Sequence, residues 1–106
     1  MISILGIPLD ENSSFLSGAS KGPRMIMDAL QSDSSNMFAE VGYDCGDSSN
    51  ILDLGLMKLS TGAAAMHSIQ KTVQKELNRG QKVISIGGDH SVTFPIIQAY
   101  HEQYSN

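Results

Sequence analysis

Ile84-Ser85-Ile86-Gly87-Gly88-Asp89-His90-Ser91 is a short apolar run that breaks on two glycines and then presents a carboxylate, an imidazole and a hydroxyl in succession. The apolar part, Lys82 to Ile86, predicts a buried strand. The glycines let the backbone leave that strand in a conformation closed to residues with a Cβ. Downstream, Pro95 opens a helix in which Ile96, Ile97, Tyr100 and Tyr104 share one side. A strand that passes through a polar turn into a helix is half of a βαβ unit. In sheets built from such units, functional residues gather beyond the carboxyl ends of the strands.

The rest of the chain repeats this grammar. Met1 to Leu5 reads as a buried strand that stops at Gly6 and Pro8. The polar stretch Asp10 to Lys21 is a loop, and Gly22-Pro23 starts a helix with Ile26, Met27 and Leu30 as its apolar face. That helix ends in the run Gln31 to Asn36. Apolar residues are then scattered among glycines and aspartates until Ile51 to Leu54, a third strand candidate. Thr61 to Arg79 is the clearest helix: Met66, Ile69, Val73 and Leu77 recur at helical spacing, Ser60 or Thr61 can cap the start, and Gly80 can stop the end. The element order predicts an α/β fold, a parallel sheet with helices on both faces; a separate expectation is that the first strand lies between the other two.

Composition bounds the function. At 106 residues the chain fits a single domain. Seven Lys plus Arg against eleven Asp plus Glu give a net charge of -4, the wrong sign for neutralising phosphates, so nucleic acid and anionic membranes are disfavoured partners. No apolar run approaches the ~20 residues of a membrane helix, and the first residues lack the pattern of a signal peptide. The single Cys45 can form no internal disulfide, and a reducing cytoplasm is the default expectation. The six methionines are expected to fill the core.

His90 leaves two readings open on residue types alone. Imidazole is the commonest protein ligand of transition metals, with Asp89 placed to orient it or hold a water, whereas the plain alternative is a tight turn in which His90 bonds to backbone. Asp10 could face a cationic substrate or simply close its loop. Asp44-Cys45-Gly46-Asp47 invites a metal reading, yet Gly and Asp in a polar stretch mark turns more often. Cys45 has no His beside it to make it a nucleophile. His67 and His101 read as surface or packing residues. The Gly87-Gly88 turn could cradle a phosphate, but it lacks the lysine and glycine spacing of a phosphate loop.

Gly87-Gly88-Asp89-His90-Ser91, running on into Val92-Thr93-Phe94-Pro95-Ile96-Ile97, resembles the first metal motif of the ureohydrolases, the family of arginase and agmatinase. Gly6-Ile7-Pro8-Leu9-Asp10, Ser13-Ser14-Phe15, Gly18-Ala19 and Gly22-Pro23 resemble the family's N-terminal block, and the continuation after His90 is closer to agmatinase-type members. The resemblance covers the whole chain and implies the N-terminal part of a three-layer α/β/α arginase-like domain. It implies hydrolysis of a guanidino compound, agmatine-like, to urea and an amine by a full-length enzyme that is commonly oligomeric. It also implies two manganese ions, with His90 as a ligand and Asp89 supporting it. The family's Asp-Ala-His-x-Asp segment and later aspartate pair have no counterpart here, since Glu102 is the only carboxylate side chain after His90. No catalytic residue is therefore assigned within residues 1–106, and this length alone is expected to be inactive. Where many relatives carry an Arg in the first loop, this chain has Phe15-Leu16-Ser17-Gly18. The competing class is a non-catalytic α/β binding or interaction module.

Overall fold

The computed structural model describes residues 1–47 and 49–105. Three strands, β1 (Ile2–Ile7), β2 (Ile51–Leu56) and β3 (Lys82–Gly87), alternate with α1 (Gly22–Leu30), α2 (Gly62–Asn78) and α3 (Thr93–Tyr104). The sheet is parallel with order β2-β1-β3, so the first strand is central as expected. Ile2 pairs with Ile51 on one side and with Lys82 on the other, and β1 runs in register along β3 as far as Ile7 against Gly87. The central place goes to the strand whose residues from Ser3 to Ile7 are all buried.

Alternation along β1 divides the layers. Leu5 and Ile7 join Leu9, Ala65, Ile69, Val73, Leu77, Val92 and Ala99 in one core under α2 and α3. Ala99 is fully buried, and its small side chain lets α3 lie close against α2. Tyr100 packs on this core and donates from its hydroxyl to the Val83 carbonyl at 3.1 Å. The opposite side of β1 meets α1: Ile4, Met27 and Leu30 line a shared groove, and Met27 Sδ lies beside Gly6. Helices therefore cover both faces.

The α1 face is much thinner. Ile26 is 51% exposed, and on β3 Ile84 is 50% exposed, so β3 is a half-covered edge strand rather than the buried one expected. In α3 the expected stripe is also redrawn. The helix begins at Thr93, Pro95 and Ala99 are its buried residues, and Ile97 and Tyr104 point outward because α2 covers the side carrying Ile96 and Tyr100. Of the six methionines expected in the core, Met57 and Met66 pack against it among the described residues, Met27 and Met37 line the groove, and Met1 and Met25 are exposed. Gly80, at φ +80°, ends α2 as read. Glu76 lies on the buried stripe of α2, 4% exposed; it accepts from Ser3 Oγ at 2.9 Å and from Arg79 Nη1 at 3.0 Å.

Candidate functional site

The three strands end on one edge, and the loop that follows β1 ties their connections together with three consecutive side chains. Asp10 Oδ2 accepts from Gly18 N–H at 2.8 Å, Ser20 N–H at 3.4 Å and Ser20 Oγ at 3.0 Å, which closes the loop ahead of α1. Glu11 Oε1 accepts from the Gly62 N–H at 2.7 Å and so caps the first turn of α2. Asn12 reaches the connection after β3, where its N–H donates to Asp89 Oδ2 at 2.9 Å and its Nδ2 to Ser91 Oγ at 3.2 Å. The expected cap at Ser60 or Thr61 is replaced: Thr61 is the N-cap position but its side chain makes no capping bond. The free N–H is met by a carboxylate from 51 residues away, a partnership that local sequence cannot display.

The double glycine works differently from the expectation. Neither Gly87 nor Gly88 has positive φ. Gly88 is needed because the chain leaving β1 passes against it: a Cβ there would sit 1.9 Å from the Leu9 carbonyl oxygen. Gly88 N–H donates to the Ile7 carbonyl at 3.1 Å, and Asp89 N–H donates to the Leu9 carbonyl at 2.7 Å. Two βα connections are thus laced together by backbone.

Asp89 is buried, and its carboxylate is the N-cap of the short 3-10 turn His90–Val92 that leads into α3. Oδ1 accepts from Ser91 N–H at 2.9 Å and from the Ser91 hydroxyl, while Oδ2 takes the Asn12 N–H. Its bonds go to the residues around His90 rather than to the imidazole. His90 itself is exposed, and its ring makes no hydrogen bond among the described residues. The imidazole therefore stands at the carboxyl edge as an uncommitted donor on a fixed backbone. That chemistry fits one corner of a divalent metal site. It fits no more than that, because no group of three or more His, Cys, Asp or Glu side chains converges among the described residues.

The remaining candidates fall into structural roles. The Gly18 N–H, then the Ser20 hydroxyl and N–H, hold the Asp10 carboxyl below its ordinary value, with Lys21 adding a smaller pull. Asp47 is lowered by the Ser49 N–H and hydroxyl. Asp44 Oδ1 accepts from Gly46 N–H at 2.8 Å and Asp47 Oδ1 from Ser49 N–H at 3.0 Å, so the acidic pair makes turns. Ser48, between Asp47 and Ser49, lies outside the described residues. Residues 37–45 form a small hairpin, with Phe38 bridged to Asp44 and Cys45 N–H donating to the Met37 carbonyl at 2.8 Å. Cys45 lines the apolar groove of about 520 Å³ between this hairpin, α1 and β2, on the face of the sheet that α1 covers. His67 and His101 are exposed. Among the described residues no helix is long and apolar enough to cross a membrane.

A family model described as the arginase family matches residues 1–106. An agmatinase of Serratia proteamaculans is 32% identical over 108 residues, covering 95% of this chain and 34% of its own length. The solved arginase of Medicago truncatula superposes with a TM-score of 0.86 at 28% identity, over 96% of this chain and 35% of that one. A formiminoglutamase variant of Trypanosoma cruzi, solved with Mn²⁺, gives 0.80 at 29% identity over 98% of this chain and 36% of that one. The chain spans about a third of the length of the curated relatives it matches.

Proposed function

Because the chain belongs to the arginase family, we propose that it is the N-terminal part of a ureohydrolase domain whose whole length hydrolyses a guanidino compound to urea and an amine. The observation that carries this reading is the exposed His90 imidazole at the carboxyl end of β3, set on a turn that Gly88 and the Asp89 carboxylate fix. His90 is proposed as a manganese ligand, one of several needed for two ions, and Asp89 as the residue that supports it by holding the backbone on either side. Manganese, when bound, supplies the Lewis acidity that makes water an effective nucleophile near neutral pH. What residues 1–106 contribute is placement: Asn12, Asp89 and Ser91 orient the connection that bears His90.

An agmatine-like substrate is proposed, since a relative named agmatinase is 32% identical. Relatives at similar identity are named arginase and formiminoglutamase, so the substrate is chosen by experiment. A reducing cytoplasm as the location and a homo-oligomer as the assembly complete the proposal. The test is urea release by the natural full-length protein, with and without Mn²⁺, offered agmatine, guanidinobutyrate and arginine in parallel. Manganese-dependent urea from one of them supports the reading. No urea from any, in a protein whose reading frame lacks an Asp-Ala-His-x-Asp segment, would leave a non-catalytic α/β module.

A further inference from the structure

The hydrogen bonds around His90 close a ring that does not include it. Asn12 N–H bonds to Asp89 Oδ2, the Ser91 hydroxyl bonds to Asp89 Oδ1, and Asn12 Nδ2 returns to Ser91 Oγ. His90 lies between the two members that Asn12 grips from 77 and 79 residues away. With the backbone held on both sides, the imidazole keeps only its own side-chain torsions. The geometry points to Asn12 as a positioning residue for His90, acting through Asp89 and Ser91. This rests on His90 being a metal ligand and adds the residue that aims it.

Two features separate this role from general support of the fold. Asn12 is exposed and contributes nothing to the core. Its side-chain amide is spent on Ser91, while the Asn12 N–H to Asp89 would survive any change to a residue other than proline. Truncating the side chain therefore loosens the ring without removing the Leu9 to Asp89 backbone bond that joins the two connections. Residues that orient a metal ligand typically alter affinity by about 10–100-fold when lost. An indirect, partly redundant support belongs at the lower end of that range.

The experiment measures Mn²⁺ affinity of the natural full-length protein by following the free-ion electron paramagnetic resonance signal, with far-UV circular dichroism to show that each variant is folded. Asn12→Ala and Ser91→Ala are each expected to weaken Mn²⁺ binding about tenfold, and the double variant little further, because both open the same ring. Ser91→Thr, which keeps the hydroxyl, restores binding, and KM for the guanidino substrate stays unchanged in all of them. If Ser91→Ala does not fold, Asn12→Ala decides alone. Unchanged Mn²⁺ affinity in folded Asn12→Ala, with His90→Ala losing it, overturns the positioning role and leaves the metal reading standing. Unchanged affinity in His90→Ala overturns both.

Discussion

The Asp89 N–H donates to the Leu9 carbonyl oxygen at 2.7 Å, so the first residue to bring chemistry after β3 is held by the chain leaving β1. This contact decides what can occupy position 88. The backbone of Leu9 passes so near Gly88 that three of its atoms lie within 2.8 Å of the place a Cβ would take.

Gly88→Ala is accordingly expected to be the more damaging of the two glycine substitutions. At Gly87 a Cβ meets Val92 Cγ2 at 2.7 Å, a side-chain atom that can turn away. At Gly88 the obstacle is backbone, and relief requires the two connections to separate. Overpacking of this kind costs about 1–3 kcal/mol where side chains can adjust, and more where they cannot. Urea denaturation of both variants checks the order, with Gly88→Ala losing at least twice what Gly87→Ala loses. Equal losses would mean that the Leu9 contact does not constrain the turn.

The Asp10 carboxyl is held below its ordinary value of 3.8, chiefly by the Gly18 N–H. The sign follows from the depressed folded value. The unfolded chain takes up its proton first as the pH falls, so the stabilisation is fully present above the ordinary value and is lost as the pH drops through the lower, folded one. Asp10→Asn should therefore melt below the parent at neutral pH, and the gap should close on acidification below 3.8. Thermal melts across that window, with a carboxyl titration of Asp10 by NMR, check both the direction and the assignment.

Ser3, Glu76 and Arg79 form a buried-to-surface relay at the opposite end of the sheet from His90. Glu76 is 4% exposed, whereas the Arg79 side chain is 51% exposed and pairs with it in partly screening solvent. Ser3→Ala removes the donor to a buried carboxylate oxygen and is expected to cost about 1–3 kcal/mol. Arg79→Ala removes a screened partner and is expected to cost under about 1 kcal/mol. Denaturation midpoints of the two variants test the ranking, and a larger loss for Arg79→Ala would show that the ion pair, not the serine, anchors Glu76.

Much of this architecture was readable from runs and periods. The apolar stretches at Met1, Ile51 and Lys82 and the helical spacing of Ile69, Val73 and Leu77 specify elements that bury themselves, and an alternating order of strands and helices restricts how they can join. The resemblance around Gly87-Gly88-Asp89-His90-Ser91 also pointed to the family that the comparison shows. What could not be read is whatever depends on a distant partner. Gly88 looked like a residue chosen for conformation because the Leu9 carbonyl that crowds it is invisible in local sequence. Glu76 did carry a signal, since it stands three residues after Val73 and just before Leu77, on the stripe that packs inward. Its charge concealed that position until Ser3 supplied the reason a carboxylate can be there. Ile84 and Ile26 looked like core and are half exposed, because apolarity states what a residue favours and not what lies opposite it.

Glu11 ties the same first loop to a different neighbour, the start of α2. Its carboxylate accepts from the Gly62 N–H at 2.7 Å, at the end of α2 where free N–H groups and the helix dipole both favour negative charge. Thr61, at the N-cap position, offers no side-chain bond to replace it. Glu11→Ala should cost about 0.5–2 kcal/mol, the usual range for a lost cap. Glu11→Gln keeps an acceptor and loses the charge, so its cost should fall to the dipole contribution of about 0.3–1 kcal/mol. Hydrogen exchange locates the effect: in Glu11→Ala the amides of the first turn, from Gly62 onward, should exchange faster, while those around Val73 and Leu77 keep their protection. Uniform loss of protection along α2 would contradict a cap, because a cap acts on the turn it closes and leaves the packed end of the helix to the core.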